Sequence, residues 1–179
     1  TPNTGYTINY AAPGTLSVTA KPLTITGSSV VSKEYDGTTA ATVSGGSLSG
    51  VINSDTVTFS QAGTFASKDV GTGVTVNITG SLNGVNASNY SLAASTSTGN
   101  ITKKTLTITA NNDADFAGLT DTGGYSGVTY SGFVAGETST SLSTLPTLAR
   151  SNLSVVAAGT YNGVLVPSGA AASNYSFNY

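Results

Sequence analysis

The sequence predicts an all-β protein that consists of two tandem domains, and the first evidence for this is a repeated strand pattern. In residues 103–109, leucine and isoleucine alternate with threonine, and residues 21–26 read almost the same. The two copies lie 83 positions apart, counted from Leu23 to Leu106. Alternation at every second residue is typical of a β-strand with one buried face. The copies therefore predict the first strand of each of two related domains.

A strand that carries tyrosine precedes each copy, and a third such strand closes the chain. Tyr6 and Tyr90 are 84 residues apart, and Tyr90 and Tyr175 are 85 residues apart. The chain therefore reads as part of a tandem array. From this spacing we predict three segments, namely the terminal strand of a preceding repeat (residues 1–18), a first β domain (residues 19–102) and a second β domain that lacks its last strand (residues 103–179).

The two ends of this pattern complement each other. In the first repeat, residues 99–102 follow the tyrosine strand as a further strand, whereas no residue follows Tyr179. The segment before the first domain has the sequence of such a final strand. We therefore predict that residues 6–19 can complete the second domain of a neighbouring molecule by strand exchange between copies.

Turn signals recur about every ten residues, which is a further argument for an all-β fold. The dipeptide Asp36-Gly37 is one example, and Val74, Val76 and Ile78 alternate strictly in the strongest predicted strand. Many short strands at this spacing are typical of a β-sandwich. We therefore predict two Ig-like β-sandwich domains.

The second domain leaves one alternative open. Val128, Tyr130 and Phe133 predict one of its strands, and residues 153–155 predict another. Residues 137–142, in contrast, fit one short helical turn. A β-grasp-like second domain with one short helix is therefore the alternative to a sandwich.

Composition excludes several functional classes. Charged residues make up 8% of the 179 residues, and the net charge is −2. A nucleic-acid partner requires a basic surface and a membrane-inserting helix requires a long apolar run, and the sequence has neither. Cysteine and histidine are absent, so there is no thiol nucleophile and no imidazole base. We expect no enzyme and no resident cofactor, with calcium as the one exception considered below.

Several longer motifs identify a resemblance to known bacterial modules. Residues 21–104 resemble the repeat named for its Tyr-Asp-Gly motif (the YDG type), here within Glu34-Tyr35-Asp36-Gly37-Thr38-Thr39-Ala40. Residues 103–179 are similar to the MBG-type repeat, through residues 130–138, 158–161 and 170–175. Both modules recur in large exported proteins, among them filamentous-haemagglutinin-like and biofilm adhesins. The resemblance implies a secreted or cell-surface location and supplies no catalytic residue.

One loop carries candidate metal ligands. Asn111, Asn112, Asp113 and Asp115 place four oxygen donors just after the first strand of the second domain. Calcium binds six to eight such oxygens, so these residues predict a calcium site. In the competing interpretation, the same side chains form Asx turns and bond their own backbone.

Tyrosines offer the other candidate contact with a ligand. Tyr35, Tyr125, Tyr130 and Tyr161 could stack on sugar rings, because tyrosine combines an apolar face with a polar tip. Packing of these rings in the core is the competing interpretation. The predicted function is accordingly a structural spacer that packs against neighbouring repeats in an adhesin stalk. The alternative is a module that binds a polysaccharide or host glycan.

Overall fold

The computed structural model describes residues 14–52, 54–118, 123–152 and 157–179. Within these residues the chain forms thirteen strands, together with 3-10 turns at Ala87–Asn89 and Ser139–Ser141. In chain order the strands are β1 (Lys21–Val30), β2 (Lys33–Glu34), β3 (Ala40–Ala41), β4 (Val43–Ser49), β5 (Thr58–Phe65), β6 (Gly71–Asn83), β7 (Tyr90–Leu92), β8 (Ser95–Thr102), β9 (Lys104–Ala110), β10 (Val128–Ser131), β11 (Thr147–Arg150), β12 (Leu165–Ser168) and β13 (Tyr175–Asn178). The all-β prediction is therefore confirmed.

The first domain contains two sheets. The smaller sheet has the order β4-β1-β7. Its central strand β1 runs antiparallel to β4, with Ile25 opposite Leu48, and parallel to β7, with Lys21 opposite Tyr90. The larger sheet has the order β2-β8-β6-β5-β3 and is antiparallel except for the pair of β2 and β8. The predicted alternating strand lies at the centre of this larger sheet, as β6.

The two sheets face each other across a close-packed core. A Cβ atom built on Gly99 of β8 would lie 2.6 Å from Val30 Cγ1 of β1. One built on Gly63 of β5 would lie 2.5 Å from Val43 Cγ2 of β4. Only a hydrogen fits at such distances, so these glycines allow the sheets to approach. Val76 of β6 is buried in the same core, and the first domain is a β-sandwich.

The second domain repeats the smaller sheet of the first. Its order is β10-β9-β13, with β10 antiparallel to β9 and β13 parallel to it, so that Tyr175 lies opposite Lys104. A separate pair, β11 and β12, runs antiparallel. The predicted turn in residues 137–142 is confirmed as the 3-10 turn Ser139–Ser141. It is too short for the helix of a β-grasp domain, so in the described residues the second domain is also built from sheets.

Parts of the predicted strand pattern in the second domain differ from the structure. Phe133 lies outside β10, which ends at Ser131. The reason is Gly132, whose φ of 114° turns the chain, while a Cβ atom there would lie 2.6 Å from the Thr105 carbonyl oxygen. The predicted strand over residues 153–155 lies outside the described residues.

The two domains share one apolar core. Only Lys103 separates β8 from β9. The cluster of buried apolar side chains continues across this connection, from Phe65 and Ile101 in the first domain to Leu106 and Tyr175 in the second. The surface between the domains is therefore part of the fold. Among the described residues, no helix is long and apolar enough to cross a membrane.

Candidate interaction site at the domain junction

Tyr35 projects from the first domain towards the second because of the strand that precedes it. Strand β2 runs parallel to β8, with Glu34 opposite Thr102, and the Tyr35 amide donates to the Thr102 carbonyl oxygen at 2.9 Å. The chain then turns at Asp36, whose Oδ1 accepts from the Thr38 amide at 2.8 Å. This Asx turn holds Tyr35 at the end of the first domain where β9 begins.

The Lys33 ammonium group stabilises the same turn. It donates to Asp36 Oδ1 at 2.8 Å and to the Thr38 carbonyl oxygen at 2.8 Å. The hydrogen bond from Lys33 lowers the pKa of Asp36 to about 2, and the Thr38 amide and hydroxyl act in the same direction. The Asp36 carboxylate therefore stays ionised well below neutral pH. Its hydrogen bonds with Thr38 and Lys33 stabilise the turn.

A single carboxylate joins the two domains. The Tyr35 hydroxyl donates to Glu137 Oε1 at 2.5 Å, and the Tyr175 hydroxyl donates to Glu137 Oε2 at 2.5 Å. The two tyrosine rings meet edge to face, with their centroids 5.6 Å apart. Both rings are 1% exposed. Glu137 thus accepts one hydrogen bond from a tyrosine hydroxyl of each domain at the centre of the junction.

Both hydroxyls are held in the protonated form. Burial raises the pKa of Tyr35 to about 12, and the hydrogen bond to the Glu137 carboxylate and its negative charge act in the same direction. The pKa of Tyr175 is raised to about 12 for the same reasons, burial first and Glu137 second. Both hydroxyls therefore stay protonated near neutral pH and can donate hydrogen bonds to Glu137.

Backbone groups complete the site around Tyr175. Its hydroxyl accepts from the Val134 amide at 3.0 Å, and its ring lies 5.4 Å from the Phe133 ring. The Val134 side chain in turn lies against Gly37, where a Cβ atom would be 3.2 Å from Val134 Cγ2. Gly37 also has a φ of 75°, which side chains rarely adopt. The backbone conformation therefore favours glycine at position 37, and the close contact with Val134 leaves little room for a side chain.

Asn174 forms a second link between the domains. Its Oδ1 accepts from the Val70 amide at 3.0 Å, and its Nδ2 donates to Asp69 Oδ1 at 2.9 Å. Its own carbonyl oxygen accepts from the Lys104 amide at 3.1 Å. The Asn174 side chain therefore bonds both the Val70 amide and the Asp69 carboxylate of the other domain.

Ion pairing adds little to this junction. Lys104 Nζ lies 3.0 Å from Glu34 Oε1, and the two side chains are 30% and 54% exposed. Exposed pairs of this kind stabilise proteins by about 0–1 kcal/mol. The buried hydroxyl–carboxylate contacts and the shared apolar core are the main stabilising features.

A groove opens next to these contacts. It has a volume of about 380 Å³ and is lined by Asp69, Glu137, Asn174 and serine hydroxyls, including Ser141 and Ser143. Such a lining can accept and donate hydrogen bonds to a hydroxylated molecule. It contains no cysteine or histidine, since the chain has none.

Comparison with known protein families assigns both halves of the chain. Residues 19–98 match the YDG domain, and residues 106–179 match the MBG domain of the YGX type. The chain is a YDG domain followed by an MBG domain. The predicted resemblance to these two repeats is therefore confirmed. Comparisons with curated proteins and with solved structures gave no significant match.

The name-giving motif of the YDG domain is thus a junction motif in this chain. Tyr35 donates to the MBG domain, Asp36 forms the turn that positions it, and Gly37 packs against Val134 of the MBG domain. The sequence alone identified the motif as a turn signal. It did not indicate what the turn contacts.

Two residues of the site that bond across the junction, Glu137 and Asn174, were missed by reasoning from the sequence. A signal for Glu137 exists in the alignment of residues 50–56 with residues 132–138. Both segments begin with glycine, place an acid at the sixth position and end with threonine. Matching these segments between the YDG and MBG domains would have marked the acid as a shared feature.

The structure places the predicted calcium ligands in a hydrogen-bonded loop of the MBG domain. Asp113 accepts from the Ser126 amide at 3.0 Å through Oδ2, and Asp115 accepts from the Phe116 amide at 2.7 Å. Asn111 Nδ2 donates to the Ser126 carbonyl oxygen at 2.8 Å. The Asp115 contact is with adjacent backbone, as in the competing interpretation, whereas Asn111 and Asp113 bond Ser126 across the loop. In the described part of the chain no three Asp or Glu side chains gather as a metal site, and calcium binding by Asn111, Asn112, Asp113 and Asp115 stays a prediction.

The four tyrosines that were candidates for stacking on sugars lie in different surroundings. Tyr35 is buried in the junction, and the Tyr130 ring lies 5.5 Å from the Phe133 ring. Tyr125 is half-buried. Tyr161 is 39% exposed, and its hydroxyl donates to the Ala157 carbonyl oxygen at 3.1 Å. The core interpretation is correct for Tyr35, and it fits Tyr130.

The segment predicted to exchange between copies lies only partly in the described residues. Residues 6–13 fall outside them. Of the remainder, Leu16 and Val18 are 90% and 89% exposed, so their apolar side chains are not packed on their own chain. Strand exchange stays a prediction.

Proposed function

We propose that this chain is a structural spacer of an exported bacterial surface adhesin, in which YDG and MBG repeats pack end to end. The observation that carries this proposal is the position of Tyr35. The residue that defines the YDG motif is 1% exposed and donates to Glu137 of the next domain. A module whose motif residue bonds the next domain serves to hold the two domains in a fixed relative orientation.

The character of the junction supports the same function. A shared apolar core and a one-residue connection leave little freedom for one domain to swing against the other. An array of rigid joints extends a distal binding region away from the surface. The spacer needs no catalytic group, and the proposal includes none.

The test is the conformational freedom of the chain in solution, measured by small-angle X-ray scattering. We expect one compact distance distribution that matches the coordinates of the two packed domains. A variant with four Gly-Ser residues inserted after Thr102 is the matched control, because it keeps both domains and removes the direct connection. If the native chain scatters like this flexible control, the spacer function is wrong.

A second candidate function is glycan binding at the groove beside Glu137, favoured by its carboxylates and serine hydroxyls. The test is a glycan array with the native chain and with Ser141→Leu. This substitution narrows the groove, and no side-chain hydrogen bond of Ser141 joins the domains in the described residues. Binding that Ser141→Leu abolishes would support the second candidate. A negative array would leave the spacer.

A further inference from the structure

The turn that holds Glu137 occurs twice in the chain. In the MBG domain the Glu137 amide donates to the Val134 carbonyl oxygen at 3.1 Å, and in the YDG domain the Asp55 amide donates to the Ile52 carbonyl oxygen at 3.0 Å. The residue before each acid has a positive φ, 85° at Gly136 and 83° at Ser54. Both turns therefore present a carboxylate in the same local conformation.

A tyrosine meets each of these carboxylates in the same way. The Tyr90 hydroxyl donates to Asp55 Oδ2 at 2.6 Å and accepts from the Ile52 amide at 3.1 Å. Tyr175 makes the same two contacts with Glu137 and with the Val134 amide. The hydrogen bond to Asp55 raises the pKa of Tyr90, and burial adds to this effect.

The surrounding strands match as well. Tyr90 lies opposite Lys21 across the parallel pair of β7 and β1, and Tyr175 lies opposite Lys104 across the parallel pair of β13 and β9. Thr19-Ala20-Lys21 therefore corresponds to Thr102-Lys103-Lys104. The YDG domain thus carries, at its amino-terminal end, the framework by which the MBG domain receives Tyr35.

The two copies differ in what covers them. In the MBG domain, Gly37 packs on Val134 and Tyr35 fills one side of the carboxylate. In the YDG domain, the equivalent Ile52 is 55% exposed. Within the part of the chain that the structure describes, the Asp55 carboxylate accepts from Tyr90 through Oδ2, and its Oδ1 accepts no hydrogen bond.

The asparagine of the second link shows the same difference. Asn174 is half-buried and bonds to Asp69 and to the Val70 amide of the preceding domain. Its equivalent, Asn89, directly precedes Tyr90 and is exposed. An apolar side chain, a carboxylate oxygen and an amide are thus all left open on one face of the YDG domain.

We propose that Ile52, Asp55, Asn89 and Tyr90 form a docking socket for a preceding β domain that carries a Tyr-x-Gly turn. The proposal rests on the spacer function and specifies the partner of each YDG domain. The incoming tyrosine donates to Asp55 Oδ1, the incoming glycine covers Ile52, and the Asn89 side chain bonds the backbone of the partner. The occupant is inferred from the YDG–MBG junction, where the same groups are already filled.

The test adds the occupant to the chain. A second copy of residues 19–102 replaces residues 1–19, so that its Thr102 is followed directly by Ala20, with the native one-residue connection. Ile52→Val in the added copy gives those of its peptides that contain position 52 a different mass. Hydrogen exchange is then followed by mass spectrometry in peptides that cover residues 50–56 of the original YDG domain.

We expect exchange in these peptides to slow by about tenfold relative to the unextended chain, because docking adds a free energy of opening. Tyr35→Phe in the added copy removes the donated hydroxyl and should reverse most of this protection. Unchanged exchange in the extended chain would overturn the proposal. Protection that survives Tyr35→Phe undiminished would overturn the hydroxyl–carboxylate contact as its basis.

The native junction is the internal control of this experiment. Peptides that cover residues 132–138 report whether the turn that contains Glu137 is protected from hydrogen exchange in the same sample. If they are protected and residues 50–56 are not, the socket is wrong and the spacer function stands. If neither segment is protected, the spacer function itself is wrong.

Discussion

Replacing Tyr35 by phenylalanine removes one oxygen atom from the junction and leaves the aromatic ring in place. The ring can keep its edge-to-face contact with Tyr175 at 5.6 Å. Glu137 Oε1 loses the hydroxyl that it accepts from at 2.5 Å. The change therefore isolates the hydrogen bond between the domains from the packing around it.

We expect Tyr35→Phe to lower the free energy of unfolding by about 2 kcal/mol. Hydrogen bonds to charged groups contribute about 1.5–3 kcal/mol, and Tyr35 donates this one from a residue that is 1% exposed. Urea unfolding followed by circular dichroism measures this change directly. In a chain of this size, the same loss lowers Tm by about 4–8 °C.

Tyr130→Phe is the matched control for this experiment. Tyr130 is half-buried, and its hydroxyl makes no hydrogen bond in the described part of the chain, so we expect a change within about 0.5 kcal/mol. A double-mutant cycle of Tyr35→Phe with Glu137→Gln should give a coupling of about 1–2 kcal/mol. Equal effects of the two phenylalanine variants, or a cycle without coupling, would refute the reasoning.

Three further predictions concern pH, the second link and the turn conformation. Because the pKa of Tyr35 and of Tyr175 is raised to about 12, their contribution to stability is complete below pH ~10 and is lost as the pH rises towards 12; urea midpoints at rising pH should fall in this window, and less steeply for Tyr35→Phe. Asn174→Ala leaves the Val70 amide without its acceptor and should lower the free energy of unfolding by about 1–3 kcal/mol; an unchanged urea midpoint would contradict this role. Gly136→Ala places a side chain at a φ of 85° and should cost about 1 kcal/mol, whereas Ser54→Gly should leave stability equal or higher; a Gly136→Ala variant that melts no lower than the native chain, or a Ser54→Gly variant that melts clearly below it, would disprove the equivalence of the two turns.

The strands of this protein could be predicted from its sequence because each depends on a local pattern. In β6, Val74, Val76 and Ile78 point to one face. Alternation in the sequence therefore directly predicts which side chains of the strand face the core. The repeated leucine strands and tyrosine strands were likewise visible, and they became β1, β9, β7 and β13. The order of the two repeats followed from them, whereas the resemblance to the two families came from the longer motifs.

The junction could not be predicted in the same way because its partners are distant in sequence. Tyr35 and Glu137 are 102 positions apart, and Val70 and Asn174 are 104 positions apart. A single glutamate in a loop has no periodicity that distinguishes it from a solvated charge. Phe133 was assigned to a strand for a related reason, since the effect of Gly132 on the chain direction depends on the close approach of Thr105 in β9.

Lys103, the residue between β8 and β9, has a consequence for the length scale of any array built from such joints. A flexible linker makes the distance between chain ends grow with roughly the square root of the number of units. A one-residue connection with a shared core instead makes that distance grow in proportion to the number of domains. Each added repeat would then contribute its full length, so the number of repeats would directly set the length of the array.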